Sequence, residues 1–224
     1  MAEAHPRDHR LFASPASLIG DAWLSTGSAG TLVHRNPSTG AVLGEFPAGG
    51  EAEANAAIEA AQAAFPAWRD MAPSARREIL LRAAALIREH SAEIATIASL
   101  ETGSVFNPMG PAGSAEHIVY YAGWIDKLVG ETTPFSPAIL NYSRHEPYGV
   151  VLALTSWNGP VTSALMKLGP ALAASNCVII KPPELGPFAT MRLAELFLEA
   201  GLPAGVLNVV TGGAALGSRL VSDP

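Results

Sequence analysis

Three short clusters hold the residues with chemistry to offer, and each follows an apolar run of strand length. Ser156-Trp157-Asn158 comes after VVLALT (150–155), Lys181-Pro182-Pro183-Glu184 closes CVIIK (177–181), and Thr211-Gly212-Gly213 follows VLNVV (206–210). Lys181 ends a strand of otherwise apolar residues and is stiffened by two prolines, so its ammonium is held at the strand end instead of swinging in solvent. Glu184 stands three residues on. A cation and a carboxylate in one crevice suit a ribose, whose vicinal hydroxyls donate to the carboxylate and accept from the ammonium. If Glu184 takes the 2′-hydroxyl, its charge repels a 2′-phosphate, which favours NAD over NADP. The alternative is a surface ion pair, which contributes little.

Asn158 sits between Trp157 and Gly159-Pro160, which fix the backbone and leave a neutral amide donor at the strand end, placed to stabilise a developing oxyanion. Trp157 itself reads as a packing residue. Gly212 and Gly213 lie between a strand and a helix, where a backbone can turn tightly and approach a phosphate at the helix N-terminus. The spacing from Gly212 to Gly217 is not the dinucleotide fingerprint, and an ordinary strand-to-helix turn explains it equally well.

The elements that must position these clusters alternate strictly. Between the three runs lie helical stripes at 161–174, which Pro170 should kink, and at 187–200, with Leu193, Leu196 and Phe197 on its inner side and Gly201 at its C-terminus; a short helix at 214–221 follows. Strand-helix alternation specifies parallel strands joined by right-handed crossovers, and such sheets bind ligands beyond the carboxyl ends of their strands. All three clusters fall at those ends. Upstream, residues 1–16 read as a mobile arm, 19–24 and 31–36 as strands around the turn 25–30, and 42–47 as half of a further hairpin after NPSTG (36–40). Helices are expected over 51–68, from Pro73 with Ile79, Leu80, Ala83, Leu86 and Ile87 in one stripe, and over 91–100 and 114–130, the last two parted by the breaker-rich NPMGPAG. Tyr120, Tyr121 and Trp124 read as packing residues.

Composition excludes several classes. With 49% hydrophobic and 15% charged residues the chain folds, and a net charge of −6 without a basic stripe gives nucleic acid no electrostatic footprint. The single cysteine, Cys177, cannot form an internal disulfide, and no paired Cys and His stand at metal-ligand spacing. The N-terminus does not read as a signal peptide and no apolar run is long enough to span a membrane, so a reducing, cytoplasmic setting is expected.

The stretch 146–213, running from EPYGVVLALTSWNGP through IIKPPELGP to GLPAGVLNVVTGG, resembles the cofactor-binding segment of the NAD(P)-dependent aldehyde dehydrogenases. NPSTG (36–40), FPAWRDMAPSARREILLRAAALI (65–87) and ETG (101–103) are similar to that family's N-terminal portion, so nearly the whole chain is covered. The resemblance implies an α/β fold in which N-terminal helices and short strands precede a Rossmann-like parallel βαβαβ unit, incomplete relative to the family. It divides the chain into 1–130, the N-terminal part of the cofactor-binding domain; 131–149, an oligomerisation hairpin with 138–145 as its strand; and 150–224, the NAD-binding segment. The catalytic domain would be absent. It implies that Asn158 helps hold the oxyanion of a thiohemiacetal, that Lys181 and Glu184 grip the adenine ribose, that Ser156 and Trp157 line the cofactor cleft, and that Gly212 and Gly217 flank the adenine. The implied activity is oxidation of an aldehyde to a carboxylic acid with NAD, or NADP, through a cysteine thioester, in a homo-oligomer, dimer or tetramer, without nucleic acid or membrane partners.

Departures from the family pattern narrow these implications. Ser156 replaces the usual proline and Gly159 the usual large apolar residue; with Ser163 and Met166, also at tunnel-lining positions, Gly159 implies a roomier entrance suited to a bulky or aromatic aldehyde. The family's nucleophilic cysteine, general-base glutamate and Gly-Ser-Thr turn are expected beyond residue 224. Cys177 is not that nucleophile: it opens a buried strand, where an apolar setting raises a thiol's pKa. The chain alone is therefore expected to be inactive and, lacking its remaining strands, to associate through 130–149 or through an uncovered sheet edge. A silent nucleotide-binding or oligomerisation fragment and a relative that acylates coenzyme A or reduces an acyl phosphate are the alternatives.

Overall fold

Continuous apolar strands require a sheet covered on both faces, and that is what the C-terminal third builds in the computed structural model, which describes residues 17–223. Strands β7 (Val150–Leu154), β8 (Cys177–Lys181) and β9 (Leu207–Val209) pair in parallel in that order. Helices α6 (Pro160–Ala173) and α7 (Phe188–Glu199) form the crossovers, and α8 (Ala214–Val221) follows β9. Every residue of β8 is buried. The parallel βαβαβ unit is thus present as the alternation predicted.

Local chemistry sets the ends of these helices. Pro160 starts α6, where a missing N–H costs nothing, and the helix continues through Pro170 to Ala173. α7 closes on a Schellman motif: Gly201, at φ +92°, donates to the Leu198 carbonyl (2.9 Å) and Leu202 to that of Phe197 (3.0 Å).

The N-terminal half buttresses this sheet. α1 (Glu51–Asp70) packs against β7 to β9 and against α8, and buries Ala54, Ala57, Ala61 and Trp68. α2 (Pro73–Glu89) begins on Pro73 as expected and buries Leu80, Ala83 and Ile87, while α3 (Ser91–Thr102) stops at Gly103, whose φ of +72° few other residues adopt. The hairpin turning at NPSTG is real: β3 (Thr31–Arg35) pairs with β4 (Val42–Pro47).

Other expectations are corrected. The run 19–24 is not one strand but the junction of β1 (Ser17–Ile19) and β2 (Ala22–Leu24), because Gly20 takes φ +64° and donates its N–H to Asn208 Oδ1 (2.8 Å). Nor does it pair with 31–36; β1 instead adds antiparallel to β9, Leu18 facing Val209, giving the order β2-β1-β9-β8-β7. The helix expected over 114–130 is only α5 (Glu116–Ala122), and a further short helix, α4 (Gly110–Ser114), precedes it. Pro111 helps start α4 inside the segment read as a breaker, and α5 ends before Gly123. Of the aromatics there, Tyr121 packs on the core, whereas Tyr120 and Trp124 are exposed and pack on each other.

β5 (Thr132–Ser136) and β6 (Ile139–Tyr142) pair only with each other and are exposed along their whole length; the strand expected over 138–145 is confined to 139–142. The arm expected at 1–16 lies outside the described residues. No helix among those described is long and apolar enough to cross a membrane.

Candidate functional site

The carboxyl ends of β7, β8 and β9 bring the three clusters to one edge. Because β8 is central and fully buried, its last residue, Lys181, is itself only 7% exposed. Its Nζ donates to the Pro182 carbonyl (3.2 Å) and lies 3.6 Å from Glu184 Oε2. Burial pushes this ammonium below its usual value, and the Glu184 carboxylate pulls it part of the way back. This is not a pair of surface side chains. Glu184 remains part-exposed, its other side turned to the loop before α8: a Cβ on Gly213 would lie 3.7 Å from Glu184 Oε1, and one on Gly217 3.6 Å from Lys181 Cδ. The cation, the carboxylate and two glycines therefore form one cradle, open where side chains are missing.

Gly213 is the N-cap of α8 and offers no side chain to the unpaired N–H groups of its first turn, which leaves them free for an anion. Gly212 has a different reason. A Cβ there would come within 2.8 Å of the Gly49 carbonyl and 2.6 Å of Leu216 Cδ2, so this glycine serves packing against the start of α1. Next to it, Thr211 is fixed by Ser17 and by the Pro47 carbonyl.

The β7–α6 loop carries the second half of the edge. The Ser156 N–H donates to Ser163 Oγ (3.2 Å), so the Ser163 hydroxyl holds this loop from the first turn of α6. Trp157, read as a packing residue, is 56% exposed. Asn158 is exposed too, and no side-chain hydrogen bond engages its amide among the described residues. Asn158 and Gly159 line a cavity of about 160 Å³ between α6, α3 and the segment 104–111, with Thr102, Asn107, Pro160 and Thr162 also in its wall. Ser163 is not in that lining, and Met166 lies on the exposed outer face of α6, 53% accessible. Gly159 has open space around a would-be Cβ, so the backbone here would accommodate a larger side chain.

Cys177 is elsewhere. It opens β8 at the opposite end from Lys181, is completely buried, and burial pushes its thiol up to about 12. One buried group escaped the sequence reading. Glu101, in the ETG segment, is 1% exposed and accepts from the backbone N–H groups of Phe188 and Ala189 at the start of α7. Burial pushes its carboxyl up to about 8, outweighing the opposing pull of those two donors. A charged residue inside the apolar C-terminal end of α3 was the available signal.

Comparison with known proteins accords with this geometry. The family model described as "Aldehyde dehydrogenase family" matches residues 23–224. The chain is 44% identical over 219 residues to the phenylacetaldehyde dehydrogenase of Pseudomonas fluorescens, covering 92% of this chain and 44% of that protein. Among solved structures, the NAD+ complex of an aldehyde dehydrogenase from Bacillus cereus superposes with a TM-score of 0.93 at 33% identity, over 99% of this chain and 46% of that one. An NADP-dependent enzyme of E. coli superposes with a TM-score of 0.92 at 37% identity, over 97% and 46%. The chain thus spans less than half the length of each of these relatives. With the family model covering nine-tenths of its length and the strand-end clusters in place, the chain belongs to the aldehyde dehydrogenase family.

Proposed function

We propose that this chain supplies the nucleotide-binding portion of an NAD(P)-dependent aldehyde dehydrogenase, which oxidises an aldehyde to a carboxylic acid through a cysteine thioester. The observation that carries this reading is the cradle of Lys181, Glu184, Gly213 and Gly217 at the carboxyl edge of the sheet, with Asn158 on the neighbouring loop. When bound, NAD(P)+ accepts a hydride. Lys181 and Glu184 hold the adenine ribose, Gly217 leaves room beside it, Ser156 and Trp157 line the cleft, and the first turn of α8 faces a phosphate. The Glu184 carboxylate disfavours a 2′-phosphate, so NAD is bound in preference to NADP. Asn158 donates its amide to the oxygen that gains charge when a thiolate adds to the aldehyde.

The glycine at 159 widens the cavity beside Asn158, and the phenylacetaldehyde dehydrogenase relative shares 44% identity, so the aldehyde proposed is aromatic or bulky. By itself the chain binds nucleotide without turning aldehyde over, because its one cysteine is sealed inside β8 as a neutral thiol. The exposed hairpin of β5 and β6 is proposed as the surface through which copies associate in a cytoplasmic homo-oligomer. Titrating the chain with NAD+ and NADP+ while following tryptophan emission, with Trp157→Phe as control, tests the reading. Saturable binding with NAD+ the tighter ligand is expected; no response at millimolar NAD+ would overturn it.

A further inference from the structure

We propose that Glu101 is a positioning residue for the nucleotide cradle: by holding the start of α7 it sets the loop 182–187 and ties that loop to the one carrying Asn158. The inference rests on the nucleotide reading above. α7 has no cap of its own, since its N-cap residue is Pro187 and no side chain of the local sequence bonds its first turn. The missing acceptor comes from 87 residues away. Glu101 Oε2 takes the Phe188 N–H at 2.8 Å and Oε1 the Ala189 N–H at 3.1 Å, so both carboxyl oxygens serve as acceptors for the otherwise uncapped first turn of the helix.

Glu101 is fixed in turn. Its carbonyl meets His34 Nε2 at 3.0 Å, the His34 ring packs against the Phe188 ring at 5.6 Å, and Phe46 stands edge-on to the Phe188 ring at 6.0 Å. The loop it governs carries three prolines, Pro182, Pro183 and Pro187, and such a segment transmits a displacement instead of absorbing it. Lys181 and Glu184 stand at the other end of that stiff link. Gly186 marks the meeting point. A Cβ there would lie 3.7 Å from Glu101 Cδ, 3.7 Å from Thr102 Cγ2 and 3.7 Å from the Trp157 carbonyl, so the ETG segment, the cradle loop and the Asn158 loop converge on one glycine. A helix cap with no such convergence would only stabilise α7; this one also sets where both functional loops stand.

The test compares the wild-type chain with Glu101→Gln, which keeps the size but turns an amide N–H₂ toward the α7 donors, and Glu101→Asp, which keeps the carboxyl on a shorter arm. Hydrogen exchange is read on the amides of residues 184–189 and on the strands, and NAD+ affinity by titration. Glu101→Gln should speed exchange in 184–189 by tenfold or more without changing the strands, and weaken NAD+ at least fivefold, with Glu101→Asp recovering part of both. Unchanged exchange in 184–189 overturns the proposal. So does faster exchange with NAD+ affinity held within twofold, which leaves Glu101 a structural cap only. If the wild-type chain binds no NAD+, the nucleotide reading fails, and exchange alone then decides whether Glu101 holds the loop.

Discussion

Replacing Lys181 with methionine separates the two things this side chain does. The buried stem runs beside Gly217, and methionine has nearly the same reach without the charge. For stability, the loss of the Nζ bond to Pro182 is set against relief of a desolvated ammonium that burial already pushes below its usual value. A single hydrogen bond contributes about 1 kcal/mol net, so the midpoint of thermal unfolding should stay within about 4 °C of wild type. For binding, a hydrogen bond from a charged group to the ribose contributes about 1.5–3 kcal/mol, so the Kd should rise roughly 10- to 150-fold. Calorimetric titration with NAD+, AMP and nicotinamide mononucleotide reads this directly. AMP should lose as much affinity as NAD+, because both carry the adenine ribose, and the mononucleotide should lose little. A Kd for AMP within threefold of wild type, or an equal loss for the mononucleotide, would refute the assignment of Lys181 to that ribose.

Two further expectations follow from the packing. Gly212→Ala drives a Cβ to 2.8 Å from the Gly49 carbonyl, and overpacking of that kind costs about 1–3 kcal/mol; Gly217→Ala meets only ordinary contact and should raise stability by about 0.5–1 kcal/mol, as alanine for glycine does inside a helix. Urea unfolding of both variants checks the contrast, and equal effects would contradict it. The Cys177 thiol, pushed to about 12 when folded, keeps a proton that the unfolded chain releases near 9. Its contribution is complete below pH 9 and lost as pH rises through 12, by about 1.4 kcal/mol per unit between, so wild type should lose stability faster than Cys177→Ala from pH 9 to 11. Parallel slopes in the two proteins would refute it.

The second half of the fold was legible because each of its elements announces itself locally. CVIIK can only be a buried strand, Pro160 and Gly201 punctuate the helices where their backbone chemistry permits, and the functional clusters fall at strand ends by chain order alone. The first half was read less well. The run 19–24 alternates like one strand, yet Gly20 breaks it to meet Asn208, and no pattern within six residues records a partner 188 residues away. Pro111 was read as a breaker where it starts a helix, since a proline's effect depends on which side of it the helix lies. Trp157, Tyr120 and Trp124 read as packing residues, yet all three are exposed, because exposure depends on what other elements cover.

What the sequence determined by itself, then, is the order β7-α6-β8-α7-β9-α8 and the identity of the residues at its strand ends, because hydrophobic period and breaker position are properties of adjacent residues. Only the tertiary structure decided that Lys181 is buried beside Gly217 instead of paired in solvent, and that Glu101 caps a helix 87 residues away. Each of these depends on the distance between segments remote in the chain, and that distance is set by how the layers pack on the sheet, which no local pattern contains.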